Sequence, residues 1–478
     1  MKNSSYLLVA LLLLPNLPVQ AETDQLTKAT TDFSRPEPSE RYPGGATTYT
    51  GDTDQQAYSH PADNMAAARK LDFTLGKAMF KRLWVSAPTA TQAADGLGPL
   101  FNARSCLQCH RRNGRGRPED AAGNVDVSLV LHLGRSMPGA SAGPDPVYGH
   151  QLQTFAVRGI PAEGEVQVEY QQFDVTLSDG ERVSLRKPVF RAANLAYGPL
   201  HPDTGLSPRL APQMIGLGLL GAIREEDLVQ LADPLDRDGD GISGKVNRVW
   251  SRLQQREVVG RFGWKASVPS VDEQSQKAFF HDIGISVPLF PQGAGECSEH
   301  QRACLEAPNG NSPQYDNLEA HSDVTRWTAL YARNLAVPQR RDPDDPQVLR
   351  GKVLFHQSGC VACHTPSFVT ATESVDGEHS GQLIWPYTDL LLHDMGEGLS
   401  DNRPEGKASG REWRTAPLWG IGLSGQVNGN SYYLHDGRAR SLLEAILWHG
   451  GEAAASREKV VAMSRSQRND LIRFIESL

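Results

Sequence analysis

The chain lacks an excess of positive charge. Its 48 Lys and Arg are outnumbered by 56 Asp and Glu, for a formal net charge of −8. Nucleic-acid binders show the opposite balance, so nucleic acid is not an expected partner. Cysteine is scarce, six in 478 residues, so each one has to be read individually. Long apolar runs are missing too. The one run of note, Leu7 to Leu14, is too short to span a bilayer. It follows Lys2 and precedes the small-residue site Val19-Gln20-Ala21, the pattern of a secretory leader over residues 1–21. No cysteine stands just after it to carry a lipid anchor. The reading is a soluble protein exported to the periplasm, not integral to the membrane.

What is present is a pair. Leu100 to His110 and Leu354 to His364 both read L-F-x4-C-x2-C-H. C-x-x-C-H is the attachment signature of haem c. Two thiols one helical turn apart, Cys106 and Cys109 or Cys360 and Cys363, add to the haem vinyl groups. The adjacent His110 or His364 supplies the proximal iron ligand. Four cysteines could also form a zinc ribbon, but these pairs lie far apart in sequence, and the leader sends the chain where haem c is attached. Two covalently bound haems c are therefore expected.

The duplication runs further. Arg209-Leu210-Ala211-Pro212, then Gly216-Leu217-Gly218-Leu219 and Leu220-Gly221-Ala222-Ile223, match Arg414-Thr415-Ala416-Pro417, Gly420-Ile421-Gly422-Leu423 and Leu443-Glu444-Ala445-Ile446. The expected fold is mainly α, with two cytochrome c-type domains. Residues 22–70 form an N-terminal arm wrapping the first domain, and residues 71–337 form that domain. Residues 338–346 link it to the second, residues 347–478. A helix near Leu71 to Trp84 should bury Leu71, Leu75, Met79 and Leu83. A β-rich insertion occupies about residues 125–200, with a hairpin turn at Asp179-Gly180. The last helix presents Leu471, Ile472, Phe474, Ile475 and Leu478 on one face, ready to pack on its domain's first helix.

Other residues carry candidate chemistry. In an oxidising compartment Cys297 and Cys304 should pair as a disulfide. Asp236, Asp238 and Asp240 alternate in a Gly-tightened loop (residues 236–247) that can offer hard oxygens to Ca²⁺, although position twelve is Asn247 and not Glu. An acidic surface turn is the competing reading. For the sixth position of the second iron, Met395 is favoured because it sits before a flexible Gly-x-Gly; Tyr433, His435 and His449 are the alternatives. Around the first haem, Met214, His132 and His150 are open choices. Arg111, Arg112, Arg115 and Arg117 could neutralise propionates or orient peroxide. Trp385, Trp413, Trp419 and Trp448 could relay electrons, with core packing the competing role.

These residues resemble the bacterial di-haem cytochrome c peroxidase superfamily, and more closely its di-haem oxidoreductase group of peroxidases and thiol oxidoreductases. The likeness rests on Ser105 to His110, Asp389 to Gly396, Trp413 to Gly422, and Tyr433 to Gly437 leading into Leu442 to Ile446. It implies that His110 belongs to the catalytic haem, where peroxide reacts, and His364 to a His-Met haem that receives electrons from a small donor protein. Where the superfamily carries its axial methionine, this chain has Ser431 and Tyr432. The alternatives are a non-catalytic electron carrier serving a partner enzyme, and oxidation of a sulfur compound or other small substrate.

Overall fold

The computed structural model describes residues 30–137 and 140–478, so the leader at 1–21 lies outside the described residues. The mainly-α expectation is corrected. Helix accounts for only 29% and strand for 18%, and among the described residues the strands form six sheets of two or three strands each. The reason lies in composition: 45 Gly and 31 Pro keep interrupting regular backbone, so loops carry much of the chain.

Two helix crossings organise the halves. Helix Ala67–Lys81 lies against Ser322–Arg333, and a Cβ on Gly76 would come within 2.2 Å of the Trp327 carbonyl. Helix Pro346–Gln357 lies against the C-terminal helix Arg465–Ser477, where a Cβ on Gly351 would come within 2.0 Å of the Asp470 carbonyl. Glycine is needed at both crossings because only it lets the backbones approach so closely. Leu471, Phe474, Ile475 and Leu478 are buried as the periodicity predicts. The first helix departs from its reading. Phe73, Gly76 and Phe80 face inward, while Leu71 and Leu83 are 65% and 56% exposed. Aromatic bulk on one face outweighs the leucine stripe on the other.

The β insertion reaches across the molecule. Strands Glu165–Thr176 and Arg182–Ala193 pair in register, Glu165 opposite Ala193 and Thr176 opposite Arg182. The turn holds Gly180 at φ +84°, in the left-handed region that glycine tolerates. Leu177 and Leu185 bury themselves in the core of the second half, and Phe173 meets Trp448 edge to face at 5.6 Å. Arg468 clamps the tip through Asp179 and Glu181 at 2.6 and 2.7 Å. Strands Leu129–Met137 and Thr204–Leu210 form the other long pairing. Cys297 and Cys304 are joined as a disulfide, with Cα atoms 6.0 Å apart. No helix among the described residues is long and apolar enough to cross a membrane.

The N-terminal arm touches both halves, and the segment between them is anchored. Glu40 is fully buried and ion-pairs with Arg340 and with Lys352, the latter at 2.8 Å. It also accepts the Tyr387 hydroxyl at 2.7 Å. Burial pushes the Glu40 carboxyl up, but Arg340 and Lys352 outweigh it and hold the group at about 2. This lies below its unfolded value of 4.5, so the stabilisation is complete above pH 4.5 and is lost as pH falls towards 2. Glu40→Ala strands two buried cations and should cost about 3–5 kcal/mol in denaturant unfolding. Glu37→Ala, whose Lys352 contact is partly exposed, should cost under about 1 kcal/mol. Equal effects of the two variants would contradict this reading of the network.

Candidate haem sites

The first site begins at one helical turn, Cys106–Cys109, which places both thiols on one side. The His110 amide donates back to the Cys106 carbonyl at 3.0 Å and turns the ring away from the helix. Its Nδ1 lies 2.8 Å from the Pro212 carbonyl. A carbonyl only accepts, so Nδ1 carries the proton and Nε2 keeps a free lone pair, the tautomer that ligates iron. Burial pushes the imidazole down to about 4, which keeps it neutral. The second site repeats the device. The His364 amide meets the Cys360 carbonyl at 2.9 Å, and Nδ1 lies 2.9 Å from the Tyr387 carbonyl. Burial pushes this ring down to about 4 as well.

The sites differ in the space beside them. Cys106, Cys109 and His110 line a cavity of about 1300 Å³. Typical small-ligand pockets hold about 300–1,000 Å³, so this one has room for a macrocycle and a small substrate. Met214, His132 and His150 line the cavity, and burial pushes His150 down to about 4. Of the four arginines after the motif, only Arg115 lines it, held by the Tyr432 and Leu434 carbonyls at 3.2 Å each. Arg111 and Arg117 both pair with Asp126, and Arg112 donates to the Val427 carbonyl.

The sequence reading missed one wall of this cavity. His281 Nδ1 pairs with Glu296 at 2.9 Å, and the His150 amide faces the same carboxylate at 3.3 Å. Next to it, Asp282 takes the Gln151 amide at 2.7 Å, and burial pushes its carboxyl up. Another stretch carries Arg209 against Asp401 at 3.1 Å and Arg403 against Glu405 at 2.8 Å. Behind it, buried Lys265 reaches Asp401 at 2.8 Å. No local motif marks these residues, because the fold assembles them from distant segments. One signal was present: Arg209 and Pro212 both belong to the repeated R-x-A-P, and the second copy supplies Arg414, Ala416 and Pro417 to the same cavity.

Cys360, Cys363 and His364 do not line that cavity and sit instead beside an aromatic core. Trp385, Trp413, Tyr433, Leu447 and Trp448 form the core, with Cys360, Val361 and Met395 packed against it; Trp419 lies in the core that joins the halves. His435 stacks on Trp413 at 3.7 Å. The Asp389 to Gly396 motif proves to be a buried charge network. His393 is held between Asp389 at 2.8 Å and Glu452 at 2.7 Å. Burial disfavours its charge, but bonds to Asp389, Cys363 and Glu452 prevail and raise it to about 12. His449 points Nδ1 at the Ala445 carbonyl, 2.7 Å away.

Haem fits both sites. Cys106, Cys109, Cys360 and Cys363 are free of disulfides. Each histidine is bonded to the protein through Nδ1, which leaves Nε2 for a metal, and buried Trp448 Nε1 beside the second site has no partner among the described residues. On the surface loop, Asp236, Asp238 and Asp240 bring carboxylate oxygens within 4.8 Å of one another. The Asn247 side chain turns inward to the Lys265 and Glu405 carbonyls, so it does not complete a loop ligand set.

Two C-x-x-C-H turns with the same histidine device, one beside a cavity and one packed in a core, define a di-haem redox protein. The model of a family described as "di-haem oxidoreductase, putative peroxidase" matches residues 39–130 and 149–478, and the chain belongs to that family. No curated protein matches the chain. Among solved structures, a chain of Kuenenia stuttgartiensis hydrazine synthase is 12% identical; the match covers 91% of this chain and 96% of that one, with a TM-score of 0.30. That likeness is too loose to carry an argument.

The charge network gives a test. His393→Leu leaves Asp389 and Glu452 facing each other under cover, and should cost about 3–5 kcal/mol in denaturant unfolding near pH 6. Because His393 is raised from 6.5 to about 12, its contribution is full below pH 6.5 and is lost as pH climbs towards 12. The gap between wild type and variant should therefore narrow at alkaline pH. A gap that widens would contradict the assignment.

Proposed function

We propose that this protein is an exported di-haem c-type cytochrome with peroxidase-like activity, in which peroxide reacts at the His110 site and electrons arrive through the His364 site. One observation carries the reading: of two matched C-x-x-C-H turns, the one at His110 lines the large cavity, whereas the walls of that cavity include none of Cys360, Cys363 and His364. A haem at His110 supplies the iron on which peroxide is reduced, and one at His364 supplies an electron relay. The cysteine pairs hold both groups by thioether bonds.

Reducing hydrogen peroxide to two waters consumes two electrons and two protons. The wall formed by His281, Glu296 and His150 sets acid–base side chains against the cavity. Arg115 adds a positive charge that offsets propionates or orients peroxide. Export is supported by the leader and by the Cys297–Cys304 disulfide, and points to the periplasm. The acidic surface suits a small donor protein with a basic docking patch. The Asp236, Asp238 and Asp240 loop holds a structural Ca²⁺.

Denatured wild-type protein should retain two haems per chain by pyridine haemochromogen assay, and a Cys106→Ala, Cys109→Ala double variant should retain one. His110→Ala should lose peroxide turnover; full turnover in that variant would overturn the site assignment. For calcium, chelation should lower the melting temperature, and an unchanged temperature would exclude a structural ion.

A further inference from the structure

We propose that His449, and not Met395, supplies the sixth ligand to the iron held at His364, so that this haem is closed on both faces by imidazole. The inference rests on the reading that His364 binds a haem, and it concerns this chain's own residues toward that group.

The first observation is a shared device. His110, His364 and His449 each aim Nδ1 at a main-chain carbonyl, at 2.8, 2.9 and 2.7 Å. The carbonyl fixes the proton on Nδ1, holds the ring and leaves Nε2 bare, the arrangement found behind metal-bound histidines. In the first two rings it serves the C-x-x-C-H motif. In the third it has no use so far. The acceptor for His449 is one turn back, in helix Leu442–Leu447, and Ser441 caps that helix by accepting the Glu444 amide. The ring therefore rides on a fixed helix end and not on a loose loop.

The second observation is location. Leu442, Ala445, Leu447 and Trp448 belong to the same core as Phe355, with Cys360 and Val361 packed against it. His449 follows Trp448 directly, and so sits at the edge of that core. His393 has both nitrogens committed to carboxylates, which removes it as a ligand. His435 is stacked flat on Trp413 and lies close to Asp436. Of the histidines near this site, His449 keeps a bare nitrogen on a ring that is already aimed.

The third observation is the repeat. His449 stands three residues after Leu443-Glu444-Ala445-Ile446. The same step after Leu220-Gly221-Ala222-Ile223 reaches Glu226, which is exposed. The position is a histidine in the packed half and a solvated carboxylate in the half with the cavity. Met395 remains the physical competitor, since the 394–398 loop packs on 449–452; a Cβ on Gly396 would meet the Gly451 nitrogen at 2.8 Å. A thioether there would raise the haem potential relative to two imidazoles.

The test uses the full holoprotein, with near-infrared magnetic circular dichroism and EPR of the ferric state. Wild type should show a low-spin bis-imidazole haem without a thioether-to-iron charge-transfer band. His449→Met should gain that band and raise the potential of this haem. His449→Gly should turn it high-spin, and added imidazole should restore the low-spin signal. Met395→Leu should leave all these signatures in place. A thioether band in wild type that disappears in Met395→Leu would overturn the proposal, and the wild-type spectrum alone decides if a His449 variant fails to fold. Haem count separates the two levels: one haem per chain would defeat the di-haem reading, whereas two haems with a thioether band would defeat only the ligand assignment.

Discussion

The structure depends on a hydrogen bond between a histidine Nδ1 and a main-chain carbonyl, made twice, by Pro212 for His110 and by Tyr387 for His364. It selects the tautomer and the ring plane, so the segment carrying each carbonyl has to be held firmly. The Pro212 segment is tied down on both sides, through the Ala211 amide to the Ser128 carbonyl and the Gln213 side chain to the Trp419 carbonyl. Tyr387 is held in a left-handed conformation, at φ +52°, that a bulky residue adopts only under surrounding constraint. Its hydroxyl is gripped by Glu40, which Arg340 and Lys352 grip in turn. A buried ion network in the N-terminal arm thus reaches the second histidine through one side chain.

The two sites share chemistry and diverge in surroundings. Around His110, insertions open a cavity walled by acid–base pairs and buried cations. Around His364, the long hairpin closes the structure instead, inserting Leu177 and Leu185 and setting Phe173 against Trp448. Space beside one histidine and packing beside the other is the division on which the proposed split between substrate turnover and electron relay rests. The second R-x-A-P copy lines the cavity beside His110, so the segments that carry the two motifs interlock.

Much of this was legible in the sequence because the chemistry is local. Two thiols and a histidine on one turn are visible as C-x-x-C-H, and the family match agrees with the resemblance drawn from it. The hairpin turn at Asp179-Gly180 was legible for the same reason. The balance of secondary structure was not, since a short haem motif says nothing of how much loop its insertions contain. The inward face of the first helix was misread because the leucine spacing was regular while Phe73 and Phe80 carried the contact. The His281–Glu296 pair was invisible because its neighbours come from distant segments. His393 lay inside a recognised motif, but its role as a charge bridge depends on Glu452, far along the chain.

The central claim is that one iron site is open to substrate and the other is closed. EPR of the fully ferric protein, recorded before and after adding cyanide or peroxide, tests it most directly. The account predicts one high-spin haem that responds to the added ligand and one low-spin haem that does not. Two low-spin haems that bind neither ligand, in the oxidised or half-reduced protein, would contradict it.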